Sequence, residues 1–191
     1  MIKLIPFTEN HFPLLKNWLN CTSPEFLLKW GGVTFEFPIT DEQLKQYIQK
    51  ANFPGSPDFI FTVEDLNSGR AIGHIALRKT DYYHRSARLG KVLIGETASR
   101  NKGFTPYILH ELLRFAFEEL LLHRVSLGVF DNNLHAKKIY SKYGFKTEGY
   151  FRDYRRIGDN YWGMYEMSIL DKEWHQINEE LLVNNEKFSN K

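Results

Sequence analysis

Apolar positions along the chain switch repeatedly between a two-residue and a helical period. Ile2 to Phe7 alternates apolar and polar residues up to Pro6 and predicts a short first strand. Thr8, Glu9 and Asn10 mark a helix start, with Pro13 tolerated in the first turn. Leu14, Leu15, Trp18 and Leu19 then fall on one helical stripe. From Cys21 to Pro38 no clean period holds, and the stretch is aromatic: Phe26, Trp30, Phe35 and Phe37. It reads as a packed loop or short helix closing the core, with part of its rings forming a substrate-side wall. Thr40-Asp41-Glu42-Gln43 has the form of a capping box, continued at helical spacing by Leu44, Tyr47, Ile48 and Ala51.

Three strands follow, Phe59–Val63, Ala71–Leu77 and Ala87–Ile94. A hairpin turn over Asp65–Arg70 joins the first two, and a polar connection over Lys79–Ser86 joins the last two. They predict an antiparallel meander. An amphipathic helix over Tyr107–Leu122 buries Leu109, Leu112, Leu113, Ala116, Phe117 and Leu120. Val125, Leu127 and Val129 alternate as a fifth strand, so strand, helix and strand form a right-handed crossover with parallel strands. Ala136, Ile139 and Tyr140 define a shorter helix that Gly144 ends. Two strands follow, from Phe145 onward and over Tyr161–Leu170, with a turn at Gly158-Asp159-Asn160. Trp174, Ile177 and Leu181 place a last helix over 171–183, and the polar residues 184–191 read as a frayed tail. The expectation is one α+β domain over 1–191. Its sheet is mixed but mainly antiparallel, with a central strand–glycine turn–helix–strand unit and flanking helices.

The turn of that central unit, Arg100-Asn101-Lys102-Gly103-Phe104-Thr105-Pro106, carries the first candidate chemistry. A helix start leaves backbone N–H groups unpaired and partially positive. Gly103 lets the backbone approach a ligand or take a positive φ. Arg100 and Lys102 add full charges. Thr105 is the expected N-cap, with Pro106 at the first helical position. Together they suit a diphosphate at a helix N-terminus. Neither G-x-x-x-x-G-K-[ST] nor G-x-G-x-x-G is present, which argues against a nucleoside-triphosphate loop and a dinucleotide fold.

Composition narrows the classes. The 191 residues suffice for one full core, and the aromatic share of 15% exceeds what a core requires. The net charge of +2 gives no nucleic-acid footprint. The single cysteine, Cys21, excludes an internal disulfide and a cysteine zinc cluster, and no metal site is expected. No apolar run reaches the roughly 18–20 residues of a membrane span, and the N-terminus lacks a signal-peptide pattern. A cytoplasmic protein without membrane or nucleic-acid partners is expected.

Two motifs then carry a resemblance. Arg100-x-x-Gly103-x-Thr105 is similar to the Arg/Gln-x-x-Gly-x-Gly/Ala turn of the GNAT N-acetyltransferases. Val129-x-x-x-Asn133-x-x-Ala136-x-x-x-Tyr140-x-x-x-Gly144-Phe145 resembles their second signature in spacing and residue type. Glu148-Gly149, Arg152 and Met167-x-x-Leu170 resemble the ribosomal-protein alanine N-acetyltransferase-like (RimJ/RimL) branch. The likeness runs from the first strand to about Leu170. It departs at Thr105-Pro106, where Gly or Ala is usual and the N–H of residue 106 is lost.

The resemblance implies acetyl-CoA as donor and a primary amine as acceptor. It implies that Arg100, Asn101, Lys102, Gly103, Phe104 and Thr105 hold the CoA diphosphate. The amide-rich CoA arm is expected to add along Val92, Leu93 and Ile94 like a strand, where a backbone N–H also faces the developing oxyanion. Asn133 is expected to hydrogen-bond the arm while capping its own helix. Tyr140 is the expected general acid that protonates the CoA thiolate. The acceptor arrives as ammonium, and Glu96 is the best-placed base by sequence, directly or through water; Glu64, Asp81 and His84 are weaker candidates. Trp30, Phe35 and Arg152 are expected on the acceptor side, with Arg155 and Arg156 available for an anionic acceptor.

The acceptor is either a protein N-terminus or a small amine. Few acids, Glu25 and Glu36, accompany the aromatic stretch, so polyamines are not favoured. The alternative from another class is a non-catalytic acyl-CoA-binding sensor, and an RNA-binding role is disfavoured by the near-neutral charge. A homodimer is left open.

Overall fold

In the computed structural model, which describes residues 1–178, the alternating segments of the N-terminal half pair as an antiparallel meander. Strand β1 (Ile2–Pro6) lies beside β2 (Phe59–Asp65), β2 beside β3 (Arg70–Asp81), and β3 beside β4 (Ser86–Ile94). Helices α1 (Phe12–Asn20), α2 (Pro24–Gly31) and α3 (Asp41–Ile48) fill the connection between β1 and β2. Thr40 caps α3 as its pattern predicts, the hydroxyl accepting from the Gln43 N–H at 3.3 Å. The aperiodic stretch resolves into α2. Ser23 accepts there from the Phe26 N–H, and Pro24 opens the helix where no N–H is needed.

Helix α4 (Phe104–Arg114) then crosses to β5 (Arg124–Phe130), which runs parallel to β4. After α5 (Leu134–Lys142), strands β6 (Lys146–Ile157) and β7 (Asn160–Leu170) form a hairpin. β7 inserts next to β5, giving the seven-stranded order β1-β2-β3-β4-β5-β7-β6. This is the α+β, mainly antiparallel sheet that the sequence predicts. Residues 171–178 are helical. The expected continuation to 183 and the tail 184–191 lie outside the described residues.

The sheet separates two apolar clusters. On one face Ile108, Leu109, Leu112 and Leu113 of α4 pack with Ile75, Leu77, Leu127 and Trp174. On the other, Leu15, Leu19, Leu27 and Leu44 from α1–α3 pack on Ile60, Ala76 and Leu93. Each fully buried side chain of this size stabilises the fold by about 1.5–3 kcal/mol.

The start and end of α4 differ from the sequence expectation. Gly103, at φ 75°, is its N-cap; Thr105 and Pro106 are its second and third residues. Asn101 at φ 61° and Gly103 turn the chain before Thr105 is reached, and Asn and Gly are the residues that tolerate this conformation. Pro106 still costs no hydrogen bond, because the first N–H groups of a helix have no internal partner. At the far end Phe115–Glu119 forms a π-helical turn. The wider turn sends Phe115 edge-on to Phe59 and Phe61, while Phe117 packs against Trp174.

Two local features open a site in the sheet. β4 and β5 pair only at Ser86–Arg124, Ala87–Val125 and Arg88–Ser126, then diverge. In β4, two residues, Lys91 and Val92, stand against Ile75 alone, between the pairs Gly90–Ala76 and Leu93–His74. This is a β-bulge with Lys91 at φ 55°. A one-residue shift exchanges the two faces of a strand. Leu89 therefore joins the α4 cluster, whereas Leu93 joins the α1–α3 cluster.

Candidate active site

The divergence of β4 and β5 leaves a cavity of 370 Å³. Leu89 to Val92 wall it on one side and Leu127 to Phe130 on the other, with Asn133 and Tyr140 from the α5 segment and Trp30 from α2. Beyond Arg88 the β5-facing edge of β4 has no strand partner among the described residues. Its N–H and C=O groups are thus available to an extended, amide-bearing ligand.

Tyr140 and Asn133 meet at this cavity because α5 starts directly after β5. Asn133 is the N-cap of α5, its side chain accepting from the Ala136 N–H at 3.4 Å, and it also lines the cavity. Tyr140 is half-buried and packs edge-on to Phe145 at 5.9 Å. Desolvation pushes its phenol up to about 12. Gly144, at φ 94°, ends the helix and lets Phe145 turn inward.

The turn 100–105 lies beyond the C-terminal end of β4. Gly103 faces open space: a Cβ built there would meet nothing within 4 Å. The helix-start N–H groups are accordingly approachable, and the residues present fit a diphosphate. Lys102 is exposed beside them. Arg100 is turned elsewhere, its Nε donating to the Ile94 carbonyl at 3.2 Å and Nη2 to the Gly95 carbonyl at 3.1 Å. It therefore ties the turn to the end of β4.

Of the three residues named for the CoA arm, Val92 lines the cavity, while Leu93 is buried in the α1–α3 cluster and Ile94 packs against the α4 cluster. Glu96 caps a short 3-10 turn over Thr97–Ser99, accepting from the Ala98 N–H at 3.3 Å, and stands outside the cavity lining. On the acceptor side Trp30 lines the cavity. Phe35 lies behind it, stacked at 5.8 Å and buried. Arg152 is exposed and off the lining. Arg155 lines the cavity instead, because the three-residue bulge Arg152–Tyr154 in β6 shifts the strand register.

Sequence reading missed the most unusual lining residue, Lys91. It is 5% exposed, and its ammonium donates to the Gly31 carbonyl at 2.7 Å and to Thr34 Oγ1 at 2.9 Å. The rings of Trp30, Phe35 and Tyr47 surround it at 5.5, 5.2 and 5.6 Å. Burial, with the Arg78 guanidinium beside it, holds its pKa well below the usual lysine range, against a weaker opposing pull from Asp58. The only sequence signal was a lysine inside an apolar strand. Nearby His74 is buried and satisfied by Tyr47, Oη to Nε2 3.2 Å, and burial pushes it down to about 3, so it is a neutral core residue.

Comparisons with known proteins agree with this geometry. Residues 2–146 match the model of the acetyltransferase (GNAT) domain. The spermidine N(1)-acetyltransferase of Vibrio cholerae is 31% identical over 114 residues, covering 60% of this chain and 64% of that protein. The L-amino acid N-acetyltransferase of Escherichia coli is 25% identical over 135 residues, covering 71% and 80%. A crystal structure of the Vibrio cholerae spermidine N-acetyltransferase in complex with CoA and spermine superposes with a TM-score of 0.77 at 25% identity, covering 91% of this chain and 97% of that one. Among the described residues, no group of three or more His, Cys, Asp or Glu is placed to hold a metal, and no helix is long and apolar enough to cross a membrane.

Proposed function

The chain belongs to the GNAT acetyltransferase family and is an acetyl-CoA-dependent amine N-acetyltransferase, and on that premise we propose that its acceptor is a small-molecule amine bound in the cavity between β4 and β5. The observation that supports this is the convergence on one 370 Å³ space of the unpaired edge of β4, Asn133 and Tyr140. That volume falls in the range of small-molecule sites.

Acetyl-CoA supplies an acetyl group activated as a thioester. The exposed helix-start N–H groups at Gly103 to Thr105 and the Lys102 charge hold its diphosphate. One helix end contributes at most about 2 kcal/mol, so the edge of β4 and Asn133 must hold the arm as well. With both substrates bound, the neutral amine attacks the thioester carbonyl directly, the C–N bond forms as the C–S bond breaks, and Tyr140 Oη delivers a proton to the departing sulfur. Its raised pKa keeps that proton on the phenol throughout the neutral range. Glu96 is proposed as the base for the acceptor ammonium, and its position outside the cavity requires water between them.

A second reading takes a protein N-terminus as acceptor, as in the RimJ/RimL-like branch. It is supported by Glu148-Gly149, Arg152 and Met167-x-x-Leu170. In this chain Glu148 takes Arg124 in a bidentate pair and accepts from Ser168 Oγ at 2.6 Å. That part of the pattern therefore ties β5, β6 and β7 together. An acceptor screen with acetyl-CoA, read by product mass and thiol release, separates the readings. Acetylated small amines support the first and acetylated peptide N-termini the second. Tight acetyl-CoA binding with no turnover on either class would overturn both.

A further inference from the structure

We propose that the acceptor carries an anionic group, a carboxylate or a phosphate, beside its amine, and that Lys91, Arg78 and Trp30 hold that group at the α2 end of the cavity. This rests on the small-amine reading above and names the substrate class.

The lining itself points to an anion. Its charged side chains among the described residues are Lys29, Arg78, Lys79, Arg88, Lys91 and Arg155, and it contains no Asp or Glu. Among the described residues, only Arg88 of these has a carboxylate within ion-pair distance, Glu166. A second ammonium, such as a polyamine would bring, meets only like charge here.

The donors are also incompletely used. Lys91 Nζ and Arg78 Nη1 converge on one hydroxyl oxygen, Thr34 Oγ1, at 2.9 and 3.3 Å. Thr34 is neutral, so it gives Arg78 no counter-charge, and an anion bound here would favour the protonated form of Lys91. Arg78 Nε and Trp30 Nε1 are buried without a hydrogen-bond partner among the described residues. Buried N–H groups normally find a partner. Arg78, Lys91 and two unmatched donors line one cavity, and a carboxylate or phosphate would supply the counter-charge and acceptor they lack.

Arg78 stands well away from the end of β4 that leads to the CoA diphosphate turn. Arg78 pairs with Arg88 across β3 and β4, and the turn at Gly103 follows Ile94 at the other end of β4. The six steps from Arg88 to Ile94 span up to roughly 20 Å, the bulge at Lys91 shortening them. Lys91, by contrast, is the immediate neighbour of Val92 on the free strand edge. An anion held by Lys91 thus leaves an amine a few bonds away near the acetyl group.

The test uses the full chain with acetyl-CoA and matched acceptors. L-amino acids with small, aromatic and acidic side chains are each compared with their carboxamides, O-phosphoethanolamine with ethanolamine, and spermidine is included; thiol release gives kcat/KM. The expected result is a preference of about 10–100-fold for the anionic member of at least one pair, and the pair that shows it identifies the anion as carboxylate or phosphate. Arg78→Gln and, separately, Lys91→Met should bring that preference towards unity, mainly through KM. The inference is overturned if neutral members or spermidine react as well as the anionic ones, a result that leaves the small-amine reading intact. It is also overturned if both variants keep the full preference. If no small amine reacts, the small-amine reading fails and the inference with it.

Discussion

Arg88 on β4 and Glu166 on β7 form a bidentate ion pair that reaches across β5 at the point where β4 and β5 separate. The second arm holds Nη2 to Oε2 at 2.9 Å, and Nη1 also donates to Ser126 Oγ at 3.3 Å. Three strands are thereby pinned at the last rung before the cavity opens. Arg88→Leu leaves the Glu166 carboxylate, 18% exposed, without its partner, and about 1–3 kcal/mol of stability should be lost. The double variant Arg88→Leu/Glu166→Leu should recover part of it, since removing both charges avoids an unpaired one. Urea unfolding of the two single variants and the double variant measures the coupling; additive losses would mean the pair does not pin the sheet.

Tyr140→Phe should lower kcat about 10²–10⁴-fold, the range for a lost general acid, with acetyl-CoA affinity kept. The pH profile gives a second check. A group that must be protonated fails only above its pKa, and burial puts that of Tyr140 at about 12. Wild-type kcat should therefore show no alkaline loss from this group below pH 10. Unchanged turnover in Tyr140→Phe would remove the phenol from the mechanism.

Much of this was legible in the sequence, for physical reasons that differ by region. The strand alternation and the Thr40 cap are local signals, and both survive folding because one face of each element is buried. Asn133 and Tyr140 were legible as a spaced motif, and α5 delivers both to one cavity. The start of α4 was misread because Thr105 and Pro106 are good capping residues by type, whereas the left-handed pair Asn101 and Gly103 decides where the helix begins. Lys91 and Arg78 were invisible because their meaning is tertiary. A bulge in β4 sends Lys91 towards α2, and Thr34, far off in sequence, brings Arg78 beside it. Phe35 was placed on the acceptor side as one ring of the aromatic stretch, and packing sets it one layer back, behind Trp30.

Gly103 separates conformation from space. Its φ of 75° is left-handed, yet no atom stands in the way of a Cβ. Gly103→Val puts a β-branched residue in that region at a cost of at least about 1–2 kcal/mol, and should deform the turn and weaken acetyl-CoA binding. Gly103→Asn, a residue that tolerates the conformation, should keep most of the affinity. Calorimetric titration of both variants with acetyl-CoA tests this. Equal affinity in Gly103→Val and wild type would mean the turn does not hold the diphosphate.

Lys91 should make the protein less stable at neutral pH than it need be. Burial lowers its folded pKa from the ordinary value of about 10.4. Between those two values the unfolded chain binds a proton that the folded chain does not, so stability rises with pH across that window. Above pH 10 the sign reverses for Tyr47 and Tyr143, whose phenols burial pushes up: the unfolded chain then loses protons that the folded chain keeps. The comparison therefore belongs between pH 7 and 9.5. Lys91→Met keeps the length of the side chain and places a thioether among the same rings, where sulfur packs well. It should raise Tm at pH 7, and the gap between variant and wild type should narrow as pH rises. A variant less stable than wild type at pH 7, with a constant gap, would mean that Lys91 is held as a charged, fully compensated ammonium in the free protein.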